Sequence, residues 1–90
     1  MDKEEFLKGI EEFQNKLGIW QVVVDKLTMA DFILGCYYDE NEKMWNVYKN
    51  SERELHSIRL STTSEQEAFK KLYSMIMFIY ENIKPNRNYI

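Results

Sequence analysis

The stretch Asp31 to Lys49, "DFILGCYYDENEKMWNVYK", carries two alternating apolar runs on either side of an acidic cluster, and its reading decides the fold. Alternation with period two marks a strand with one buried face, and a short acidic connection between two such strands marks a hairpin. With Asp39 to Glu42 as the loop, Tyr38 pairs with Lys43, Tyr37 with Met44, Cys36 with Trp45 and Leu34 with Val47. This register puts Phe32, Leu34, Cys36, Trp45 and Val47 on one face, the expected core side. A loop longer by one residue would put Trp45 opposite Tyr37 and set the apolar faces of the two strands against each other, so the shorter loop is preferred. The opposite face carries Ile33, Gly35, Tyr37, Met44, Asn46 and Tyr48, more aromatic than a solvated sheet surface requires, and is a candidate contact surface.

Upstream, "IWQVVVD" (Ile19 to Asp25) alternates in the same way, with Trp20, Val22 and Val24 on one side. Before it, Phe6, Ile10, Phe13 and Leu17 recur at helical spacing behind the cap Asp2, and Gly18 supplies a left-handed terminus. Downstream, "ELHSIRLS" reads as a fourth strand with His56, Ile58 and Leu60 inward and Leu55, Ser57 and Arg59 outward. Ser64 and Glu67 form a capping box for a final helix whose broad stripe runs from Ala68 and Phe69 through Leu72, Tyr73, Ile76, Ile79 and Tyr80 to Ile83, ending at Lys84 and Pro85. Phe78 falls off that stripe, beside Lys71 and Ser74. The expected architecture is α+β with order α-β-β-β-β-α: a four-stranded antiparallel meander with two helices packed on one face.

A chain of 90 residues, 44% apolar and 14% aromatic with 3 Gly and 1 Pro, supports one packed domain, residues 1–90, rather than disorder or two domains. A net charge of -3, with 12 Lys and Arg scattered along the chain, argues against nucleic acid as a direct ligand and suits a basic protein partner. The single cysteine, Cys36, excludes an intramolecular disulfide and a Cys-rich zinc site. The acidic, amphipathic start "MDKEEFLKGIEEF" is unlike a secretion signal and no apolar run is long enough to span a bilayer, so the expected location is cytoplasmic, without membrane contact.

Catalytic constellations are sparse. His56 has no second histidine, Cys36 falls inside the sheet rather than at a helix N-terminus, and the chain has neither a glycine-rich phosphate loop nor a GxSxG elbow. Asp39, Glu40 and Glu42 crowd one turn, and Glu52 and Glu54 the next connection. Carboxylates on exposed turns solubilise a fold and protect sheet edges, or they offer an electrostatic face to a basic partner; "DENEK" lacks the glycine and spacing of a calcium loop. No metal, cofactor or catalytic residue is expected from these residues, and no enzymatic activity.

The succession from Tyr37 to Tyr73 resembles small bacterial immunity proteins, the antidotes to polymorphic or contact-dependent toxins. The resemblance rests on Trp45, Val47 and Tyr48, the pair Glu52 and Arg53, the helix start Thr63, Ser64 and Glu65, and Ala68; this chain has one extra residue between Tyr48 and Glu52, and Glu54 where glycine is common. It implies an antidote that binds the C-terminal domain of a cognate toxin, in many cases a nuclease with a basic cleft, and blocks its active site or substrate surface. Tyr37, Asp39, Glu40, Glu42, Tyr48, Glu52 and Glu54 would contact that partner, with Tyr37 and Tyr48 as aromatic anchors. A homodimeric regulatory or ligand-binding module using the open sheet face is the alternative.

Overall fold

The computed structural model describes residues 1–52 and 55–83. Its elements are α1 (Lys3–Ile10), β1 (Gln21–Val24), β2 (Ile33–Asp39), β3 (Met44–Ser51), β4 (Leu55–Thr62) and α2 (Glu65–Ile83), so the α+β class and element order agree with the expectation. The strands lie in sequence order in one sheet, but β1 runs parallel to β2 while the other two pairs are antiparallel. The expected antiparallel meander is thereby corrected to a mixed sheet. Parallel neighbours usually need a crossover of a dozen residues or more. Here β1 is only four residues long, and the eight residues from Asp25 to Phe32 suffice to bring the chain back to its start. Asp25 and Phe32 both adopt left-handed backbone (φ 67° and 60°), turning the chain sharply out of β1 and into β2. Phe32 thus precedes the strand instead of lying on its inner face, and its ring packs edge-on against Trp20, 5.4 Å between centroids.

The β2–β3 register differs from expectation by two residues: Asp39 pairs with Met44, Tyr38 with Trp45 and Cys36 with Val47, leaving Glu40 to Lys43 as the loop. The cause is Asp39, whose Oδ1 accepts hydrogen bonds from the Asn41 and Glu42 amides at 2.9 and 3.1 Å, while the Lys43 amide donates to the Asp39 carbonyl. A shift of two preserves side-chain direction, so Leu34, Cys36 and Val47 still face the helices and are fully buried. Trp45 lies on the same side, stacked edge-on between Phe69 and Tyr38.

A bulge corrects β4. Val47 pairs with Leu60 but Tyr48 with Ile58, so Arg59 is an extra residue without a ladder partner and the alternation resets across it. Leu60 and Thr62 face α2, whereas Ile58 and His56 turn to the opposite face, against the inward placement expected for both.

The helices pack together over one face, with Phe6 of α1 against Phe69 of α2 at 5.2 Å. Asp2 caps α1 through its bond from the Glu5 amide, as the sequence suggested, but the α-helix stops at Ile10. Tighter bonds from Phe13 to Ile10 and from Lys16 to Phe13 carry the chain on in turns to Gly18 (φ 65°), and Leu17 still reaches the core. At α2, Ser64 Oγ accepts from the Glu67 amide, and Glu67 accepts the Thr62 hydroxyl proton instead of closing a reciprocal box on Ser64. Lys84 and Pro85, the expected helix end, lie outside the described residues.

The second face of the sheet is partly covered. The connection from Asp25 to Phe32 is tied to side chains that rise from β3. Tyr48 donates its hydroxyl proton to the Lys26 carbonyl at 2.7 Å and accepts from the Thr28 amide at 3.2 Å. Asn50 donates both amide protons, to the Thr28 and Ala30 carbonyls at 2.7 and 2.9 Å. With both protons spent, its Oδ1 can only accept, so His56 Nδ1, 2.6 Å away, carries the donated proton. Gly35, the residue paired with Tyr48, makes room for this arrangement, because the ring lies across it.

Candidate functional site

The acidic hairpin end comes first. Glu40 and Glu42 are exposed, but Asp39 is half-buried and its carboxylate is engaged with the turn amides, so it shapes the tip. Tyr37 is half-buried on the face away from the helices and accepts a hydrogen bond from Asn46 Nδ2 at 3.2 Å; Asn46 in turn accepts from Ser61 Oγ at 2.6 Å, a polar row across three strands. Tyr38, not singled out from the sequence, is exposed on the other face, with its ring 5.4 Å from Trp45, which is itself 5.4 Å from Phe69. The hairpin end therefore presents one tyrosine on each face and two solvated carboxylates between them. Tyr38 follows from placing its strand partner correctly: the residue opposite Trp45 at the margin of the core is half covered, half free.

Two expected contacts do not belong to this surface. Tyr48 is fully buried and cannot anchor a partner; its role is to hold the connection beneath which it lies. Glu52 is exposed, but it follows the far end of β3, eight residues and about 27 Å from Met44 at the usual strand rise. Glu54 lies outside the described residues.

Cys36 is fully buried and His56 is half-buried beside Asn50. Burial is the main reason the Cys36 thiol is pushed up to about 12, with Asp25 and Glu65 adding to the shift, and burial likewise raises the Tyr48 phenol. A thiol with that pKa leaves only a trace of thiolate at neutral pH. Modification of native Cys36 by a thiol reagent at pH 8 should be slower than in denatured protein by roughly 10³-fold. Both raised values also set the alkaline limit. The folded state retains protons that the unfolded chain loses, so stability is intact below about 9, the ordinary thiol range, and declines as pH rises toward about 12. Urea melts between neutral pH and pH 11 should show this decline, and a smaller one in Tyr48→Phe. His56 is committed to Asn50, and among the described residues no cluster of His, Cys, Asp and Glu could hold a metal ion.

On the helix side, at the end of the sheet away from the hairpin tip, a groove of about 310 Å³ opens between α2 and the strands. Leu34, Met75 and Ile79 form its apolar lining, Phe78 stands at its rim with 65% of its surface exposed, and Lys49, Arg59 and Lys71 surround it. Phe78 beside Lys71 and Ser74 was legible from helical spacing. That Lys49, Arg59 and Lys71, scattered along the chain, line one groove was not.

No described helix is long and apolar enough to cross a membrane. Compared with protein families, curated proteins and solved structures, the chain matches none of them.

Proposed function

We propose that this chain is an immunity-type antidote: it binds the C-terminal domain of a cognate bacterial toxin, a nuclease with a basic cleft, and inhibits it by occupying the cleft. The observation that carries the reading is the hairpin end, where exposed Glu40 and Glu42 project from a turn fixed by Asp39, with Tyr38 backed by Trp45 and Phe69. Solvated carboxylates on a rigid tip stand in for substrate phosphates and steer a basic partner, and a backed tyrosine supplies an anchor that loses little conformational freedom on binding. His56 and Cys36 are held by packing and hydrogen bonds, so surface is what the molecule offers. The homodimer alternative relied on an open sheet face, much of which the Asp25 to Phe32 connection covers.

The test is binding kinetics against the toxin domain encoded beside this gene. Charge reversal of both Glu40 and Glu42 to Lys should slow association by about 10-fold and flatten its salt dependence, with the melting temperature nearly unchanged. Tyr38→Ala should instead speed dissociation by about 10-fold or more. If neither change alters affinity or the protection of cells, the hairpin end is not the contact.

A further inference from the structure

The groove between α2 and the strands has a composition that the rest of this acidic protein does not prepare for. Lys49, Arg59 and Lys71 come from β3, β4 and α2, and among the described residues none of them has a carboxylate within ion-pair distance, whereas Lys3 pairs with Asp25. Arg59 is the extra residue of the β4 bulge, the kind of irregularity that re-aims a side chain, and its Nε donates to Ser57 Oγ at 3.0 Å, with no partner among the described residues on the two terminal nitrogens. Lys49 is held over the Trp20 ring, its Nζ 5.2 Å from the centroid. The apolar surface open to a ligand comes from the half-buried, flexible Met75 and the exposed Phe78, backed by the buried Leu34 and Ile79. Cations without a carboxylate partner among the described residues, set beside accessible apolar side chains, suit an anionic head on a short apolar body. A volume of about 310 Å³ holds about ten water-sized groups, at the small end of ligand pockets.

We infer that this groove is a binding site for a small organic carboxylate, its head held by Arg59 and Lys71, with Lys49 adding positive charge, and its aliphatic or aryl body lying on Met75 and Phe78. The site is separate from the hairpin end: Lys49 lies five residues along β3 from Met44, about 17 Å at the usual rise. Arg59 is the selective element, since its planar fork matches a carboxylate, while the two lysines contribute charge.

Amide chemical shifts of the full chain, titrated with hexanoate, hexanol and inorganic phosphate, test this. Hexanoate should give saturable shifts at Lys49, Arg59 and Ser74 to Ile79, with a dissociation constant of about a millimolar. Hexanol should bind at least about 10-fold more weakly, and phosphate should not saturate. Arg59→Gln and Lys71→Gln should each weaken hexanoate by about 10-fold without changing the thermal melt appreciably. Hexanol binding as tightly as hexanoate would reduce the groove to an apolar crevice, and equal binding of phosphate would reduce it to unspecific charge. Either result overturns the inference, as do unaltered affinities in both variants. Shifts produced by an acidic peptide but not by hexanoate would overturn it too, and would assign the groove to a protein partner.

Discussion

Gly35→Ala is expected to cost about 3 kcal/mol or more in urea melts, although the residue sits mid-strand, where alanine would ordinarily be the better choice. A Cβ at that position would lie 2.3 Å from Tyr48 Cζ and 2.5 Å from its hydroxyl oxygen. The ring cannot retreat, because its hydroxyl is fixed to Lys26 and Thr28 and its side chain is fully buried. The substitution must therefore expel the tyrosine or spread β2 from β3. A double-mutant cycle separates this cause from an ordinary strand effect: in a Tyr48→Leu background the alanine should cost less than about 1 kcal/mol, because the ring that it collides with is gone. An equal cost in both backgrounds would show that Gly35 is needed for another reason.

The second large effect is expected at Asn50, which is fully buried with all of its amide valences in use. Asn50→Ala leaves two connection carbonyls and the His56 proton without partners. At about 1–3 kcal/mol for each buried group left unsatisfied, and with water recovering part of it, the expected loss is about 3–5 kcal/mol. The damage should also be local, with amide exchange from Leu27 to Ala30 rising more than exchange in α2. Uniform loss of protection, or a cost below about 1 kcal/mol, would mean that Tyr48 alone holds the connection.

These two residues mark where sequence reasoning succeeds and where it stops. The core face of β2 and β3 was legible because alternation depends on side-chain direction, and direction survived the two-residue slip caused by Asp39. The orientation of β1 was not legible, since nothing in "VDKLTMAD" distinguishes a reversal from a short crossover. Tyr48 was correctly assigned to the face away from the helices but wrongly to solvent, because the cover that buries it is a loop, and loops leave no periodic signature. His56 and Ile58 were misplaced because a bulge restarts the count. At the candidate sites, Glu40 and Glu42 were visible as a local cluster, whereas Lys49, Arg59 and Lys71 stand on three elements and line one groove only after folding.

The bulge has a meaning for changes in chain length. Since Leu60 already points to α2 and Ile58 away from it, removing the residue between them would leave a regular ladder with both faces as they are. Arg59 thus occupies a one-residue insertion slot, a place where the strand can gain or lose a residue without a change of core. A scaffold of this kind can acquire a guanidinium at the mouth of the groove, or discard it, in a single codon-length indel, and the ladder itself sets no condition on which it does.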